Sequence, residues 1–173
     1  MLIWTKKEKS PFTLPIIRVE RYSSFTRLKC VTPWVTRFVE NCRKSKEQRN
    51  LTPNLTTQEL SEAERYWIAV VQNQYFADEV NAPKKQSPLS PSSALLSVHP
   101  ILDSDNLLRV GGRQQNSKLS FSAMHPLILH GKHQVTKLII HVRLLHAGPT
   151  LLSSSLGRRY DIITLFVLSH VGA

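Results

Sequence analysis

The residues whose spacing could do chemistry are His141 and His146, in the run His141-Val-Arg-Leu-Leu-His146-Ala-Gly-Pro149. Two imidazoles just ahead of a Gly-Pro turn form the first half of a His-His-Cys-Cys zinc pattern. Its second half is a Cys-x-x-Cys about 20 to 40 residues further on. No cysteine follows Cys42 in this chain. The offset also constrains geometry. At about 100° per residue, the two positions lie about 140° apart on a continuous helix. An ion gripped by both therefore requires His141 on a helix and His146 in the turn that ends it, which Gly148-Pro149 could supply. Read as ordinary residues, the same pair is two histidines on a basic helix.

The other candidates are weaker. His130-x-x-His133 has ligand-like spacing, but no acid or cysteine lies near it in sequence. Of the other histidines, His99, His125 and His170, the last could stand in for a missing cysteine, as could Cys30 or Cys42 far upstream. Gly111-Gly112-Arg113 lacks the spacing of a phosphate loop. Ser153-Ser154-Ser155 has no nucleophile-elbow context. Beyond the first 50 residues, the acids sit in a 59–64 cluster, at Asp78-Glu79, at Asp103 and Asp105 and at Asp161, and form no two-metal carboxylate set. The group Tyr66, Trp67, Tyr75 and Phe76 reads as helix core rather than as a base-stacking platform.

Charge is patterned along the chain. Its 173 residues carry a net charge of +11. Residues 1–50 hold 12 Lys/Arg against 4 Glu, residues 51–82 hold 1 Arg against 5 Asp/Glu, and residues 83–173 hold 10 Lys/Arg against 3 Asp. Two basic segments thus flank an acidic one, which suits a phosphate backbone, because each neutralised phosphate releases counterions. A solvated basic surface accounts for the same numbers. The cations assigned to nucleic-acid contact are Arg43, Lys44, Lys46, Arg109, Arg113, Lys132, Lys137, Arg143, Arg158 and Arg159. Two cysteines make no disulfide framework and read as free thiols of a reducing compartment. No apolar run approaches the length of a membrane span, and the first residues lack the apolar core of a secretory signal. The expectation is an intracellular protein, nuclear or cytoplasmic, with no membrane and no small-molecule substrate.

The elements that must position these residues give an α+β chain, mostly α, joined by flexible linkers. Phe25, Leu28, Val31, Val35, Phe38 and Val39 recur at helical spacing and predict a helix over about 24–46, capped by Ser23 or Ser24. Pro33 lies inside it and predicts a break or kink near Thr32. Thr56-x-x-Glu59 is a capping-box signature opening a helix over about 57–80, with Leu60, Ala63, Trp67, Val70 and Val71 as its apolar stripe. Residues 81–93 are linker by composition. Asp103–Asn106 forms a turn, and Leu107–Val110 with His125–Leu129 makes a long-looped hairpin within about 107–129. Helices are expected over about 132–146, burying Val135, Leu138, Ile139 and Val142, and over about 149–160, with Pro149 at its first position. Residues 162–173 are apolar without a pattern. The segments this implies are a basic lead-in and helix (1–50), an acidic amphipathic helix (51–82), a linker (83–93) and a C-terminal domain (94–173).

Five blocks in order carry a resemblance. They are Ser23-Ser-Phe-Thr-Arg-Leu28 with Val31-Thr-Pro-Trp-Val35 and Arg37-Phe-Val39; Leu55-Thr-Thr-Gln-Glu-Leu60 with Ala63-Glu-Arg-Tyr-Trp67; Leu107-Leu-Arg-Val-Gly-Gly-Arg113; His125-Pro-Leu-Ile-Leu129; and Leu144-Leu-His-Ala-Gly-Pro149. Together they resemble the BEL/Pao-type retrotransposon polyprotein over residues 16–160, in the region between ribonuclease H and integrase. The resemblance implies a linker leading into an integrase N-terminal zinc-binding domain that assists DNA binding and multimerisation. His141 and His146 map to its two histidines, and zinc would be shared with a later Cys-x-x-Cys. Reverse transcriptase and ribonuclease H would precede this region, and the catalytic carboxylates would follow it. The chain departs from the family after Tyr160, where Asp161-Ile-Ile-Thr replaces the expected Trp-Ile-like stretch and no cysteines follow. With two of four ligands, the C-terminal part is expected to be loosely folded. The expectation is a non-catalytic, nucleic-acid-binding, self-associating fragment. The alternatives are a zinc-dependent interaction module, the integrase itself, or a non-functional retroelement remnant.

Overall fold

The structure, a computed structural model, describes residues 16–84, 88–111, 121–147 and 162–165. The expected helix at 149–160 lies outside the described residues, as do Arg113, Arg158, Arg159 and His170. The fold is α+β and mostly helical, as the periodicity predicts. Helix α1 spans Phe25–Cys42, α2 Thr57–Tyr75, α3 Ala77–Lys84, α4 Phe121–Met124 and α5 Gln134–Ala147. Strands β1 (Ile101–Leu102), β2 (Leu108–Arg109), β3 (Leu127–His130) and β4 (Ile162–Leu165) form an antiparallel sheet in that order.

Helix α1 begins where Ser24 accepts a hydrogen bond from the Arg27 amide. The break expected at Pro33 is absent: the helix runs through it. Here tertiary bonding outweighs the local disfavour. Thr32 Oγ1 donates to the Leu28 carbonyl at 2.8 Å and accepts from Trp67 Nε1 at 2.8 Å, pinning the turn before the proline onto α2. The buried face also differs from the apolar count. Thr32 and Arg37 are buried, whereas Trp34 and Phe38 are exposed.

The capping box of α2 is present, with Thr56 and Glu59 bonded reciprocally. The helix expected to run to residue 80 stops at Phe76, which leaves helical geometry at φ −133° and ψ 35°, and α3 starts afresh at Ala77. Burial of the Phe76 ring beside Val80, Leu95, Val98, Leu108 and Ile128 accounts for the interruption. Asp78 and Glu79 then fall in the first turn of α3, where the helix dipole favours acids.

The Asp103–Asn106 turn is built as its composition predicts. Asp103 Oδ1 accepts from the amides of Asp105 and Leu107, both at 2.9 Å, and Asn106 takes φ 58°. The hairpin pairs Arg109 with Leu127. Gly111 donates its amide to the carbonyls of Val98 and His99, an approach so close that a Cβ would sit 2.1 Å from the His99 oxygen. The apolar tail read as patternless supplies β4: Leu165, Thr164, Ile163 and Ile162 pair with Leu127, Ile128, Leu129 and His130. A β-branched Ile-Ile-Thr run suits a strand once a partner edge is offered.

Both faces of the sheet are covered, which is why β3 is apolar at successive positions. Leu127 and Leu129 point into one cluster with Val19, Phe25, Leu28, Trp67, Ile68, Val71, Val135, Leu138 and Ile139; Ile128 points into the other. The first cluster therefore joins α1, α2, α5 and one sheet face. Val135, Leu138 and Ile139 of α5 sit in this core.

Candidate nucleic-acid interface and histidine pair

Helix α5 opens at His133, whose Nδ1 accepts from the Val135 amide at 3.0 Å. Its inner face is Val135, Thr136, Leu138 and Ile139, all buried. Lys137 and His141, four residues apart, lie exposed on the outer face. His146 is the penultimate residue of the helix, not part of a turn beyond it. The reason is local: no helix-breaking residue precedes Gly148, and Leu-Leu-His-Ala continues the backbone hydrogen bonding. Positions 141 and 146 are then about 140° apart around one axis, so one ion cannot bind both while the last turn stays helical. Among the described residues, no three His, Cys, Asp or Glu side chains converge as a metal set.

His130 and His133 are occupied otherwise. The His130 ring stacks on Tyr75 with centroids 3.8 Å apart and planes 6° from parallel. His133 meets the same tyrosine edge-on at 6.0 Å. Burial pushes the His133 imidazole below its ordinary value; Glu20 pulls it up, and His130 adds a smaller push down. Trp67 and Phe76 are core residues, as expected, while Tyr75 remains partly exposed at the helix end.

The predicted cations separate into exposed ones and one that is tied into the fold. Arg43 and Lys46 are exposed at and beyond the end of α1, and Lys44 makes only a 3.7 Å surface contact to Glu40. Lys132 lies exposed in the turn before α5. Arg109 is tied into the fold: Nε donates to Asp103 Oδ2 at 2.5 Å, Nη1 donates to the His125 carbonyl at 2.9 Å, and the guanidinium lies 5.7 Å from the Phe121 ring. Its side chain is 11% exposed, which suits holding β2 against the turns rather than reaching a ligand. Arg143 lies within α5.

Arg37 is a buried cation outside the set assigned to nucleic-acid contact. Its Nε and Nη2 grip Glu59 at 2.5 and 2.6 Å, and Nη1 and Nη2 donate to the carbonyls of Thr52 and Asn54. The Arg37 guanidinium, then the Thr56 amide, hold the Glu59 carboxyl down at about 2 against an ordinary 4.5. Helical periodicity does not reveal Arg37, because the pattern marks apolar residues on the buried face.

Another missed group is Arg18, Arg21 and Arg27, all exposed and lining one groove of about 510 Å³ with Tyr22 and Ser23. The three-residue spacing of Arg18 and Arg21 is a signal only once the segment is known to be a 3-10 turn.

In comparison with known proteins, the chain matches no protein-family model, no curated protein and no solved structure. Among the described residues, no helix is long and apolar enough to cross a membrane.

Proposed function

We propose that the chain is a non-catalytic, nucleic-acid-binding segment of retroelement origin, akin to the linker and integrase zinc-binding region of BEL/Pao-type polyproteins. The observation that carries this reading is how the quoted blocks, and the cations outside them, are sorted between core and surface. Their apolar members Phe25, Leu28, Trp67, Leu107, Leu127 and Leu129 are core residues, while Arg43, Lys46, Lys132 and Lys137 stay at the surface. A packed scaffold presenting surface cations suits charge-driven contact with phosphates. Zinc enters this reading only if the final turn of α5 opens, because a five-residue offset on a continuous helix sets the two positions about 140° apart.

The test is fluorescence anisotropy of a labelled DNA strand titrated with the full chain. Binding should appear at low salt and weaken linearly on a log–log plot as salt rises from about 50 to about 200 mM. Failure to bind at low salt would remove the reading.

A further inference from the structure

We infer that the groove between the 3-10 turn at Val19–Arg21 and the first turns of α1 is the seat for the nucleic-acid phosphate backbone, with Arg18, Arg21 and Arg27 as its contacts. The inference rests on the nucleic-acid reading above and assigns it to residues on the opposite end of α1 from Arg43, Lys44 and Lys46.

The local backbone explains why three arginines meet there. A 3-10 helix has three residues per turn, so side chains at i and i+3 eclipse. Arg18, the residue that caps the turn, and Arg21, its last residue, therefore share a side. Val19 points the other way and is buried against the core, which fixes the turn's rotation. Tyr22 also packs on that core and anchors the floor of the groove. Arg27 arrives from α1, where the Ser24 cap has already ordered the first turn. The positive end of the α1 dipole points the same way.

Electrostatics agree. Among the described residues, none of the three guanidiniums is held in an ion pair. Glu20, the one acid of the turn, does not line the groove, and its charge acts on His133 at the start of α5. Arg37, Arg65 and Arg109, by contrast, all face carboxylates. Three unneutralised guanidiniums around an open polar groove match successive backbone phosphates, since planar guanidinium donors bind phosphate oxygens in pairs.

The experiment is a salt-dependent anisotropy titration of a labelled DNA strand of about 20 nucleotides, using the full chain and two triple variants with the same charge change. One is Arg18→Gln with Arg21→Gln and Arg27→Gln. The control is Lys29→Gln with Arg49→Gln and Arg65→Gln. The groove variant should bind about 30-fold more weakly, with a log–log salt slope flatter by about 2, while the control loses about 3-fold or less. Single Arg21→Glu should give a loss of about 10-fold or more. Thermal unfolding of each variant shows that it is folded, and Arg21→Glu, at one exposed position, keeps the test valid if the triple variant is not. Equal losses in the two triple variants, with the parent chain binding normally, would overturn the groove and leave nucleic-acid binding standing as a diffuse property. No binding by the parent chain at low salt would overturn both.

Discussion

Gln72 completes the sheet by standing in for a neighbouring strand beside Leu108. Its Oε1 accepts from the Leu108 amide at 2.8 Å, and its Nε2 donates to the carbonyls of Leu108 and Ile128 at 2.8 and 2.9 Å. The side chain is fully buried and comes from α2, whose neighbouring residues in this stretch are mostly apolar. One amide thereby joins a helix to β2 and β3 and satisfies backbone groups that two short strands leave open. Replacing Gln72 with Leu would keep the volume and strand three buried backbone groups. The expected loss is about 2–4 kcal/mol of unfolding free energy, read from urea denaturation. An unchanged midpoint would mean that β2 and β3 are held otherwise.

The Arg37–Glu59 pair makes a directional prediction in acid. Glu59 titrates at about 2 in the fold, below its ordinary 4.5, chiefly because of the Arg37 hydrogen bonds. A depressed carboxyl contributes stability that is complete above about 4.5 and is lost as pH falls towards about 2. Glu59→Gln should lower the urea midpoint at neutral pH, and the gap between variant and parent should close over that acid window. A gap that stays constant down to pH of about 2 would show that the contribution is not ionic.

Thr32 should matter through its hydroxyl. Thr32→Val would leave the Trp67 indole N–H without its 2.8 Å acceptor in the core. The expected cost is about 1–3 kcal/mol, with Thr32→Ser much milder because the oxygen is kept. If both substitutions are equally mild, the continuity of α1 through Pro33 has another cause.

Zinc gives a test of the histidine pair. With positions 141 and 146 about 140° apart on one helix, adding zinc to the full chain should produce no gain in helix signal that depends on His141. Circular dichroism of the chain and of His141→Ala, with and without metal, measures this. A tight gain lost in His141→Ala would show that the end of α5 rearranges to form a site.

Much of this fold is local and was legible in the residue order. The capping box at Thr56 and Glu59, the Asp103 turn, the Leu127–Leu129 strand and the buried Val135, Leu138 and Ile139 each follow from short-range rules: side-chain caps, turn hydrogen bonds and periodicity. The charge segments and the apolar blocks were equally readable, because they need only composition and spacing.

Tertiary structure alone decided the rest. Pro33 should break a helix by itself, but Trp67 bonding to Thr32 from another element helps hold it. Phe76 divides one predicted helix into two because a second cluster takes its ring. Arg109 reads as a surface cation until Asp103 is brought to it, the role of Arg37 appears only with Glu59 beside it, and Ile162–Leu165 shows no pattern until β3 offers an edge. The histidine pair is the sharpest case: spacing named it, but whether two side chains converge depends on where the helix ends. Sequence rules sum interactions between near neighbours, whereas burial, ion pairing and ligand convergence depend on residues that only folding brings within a few ångströms.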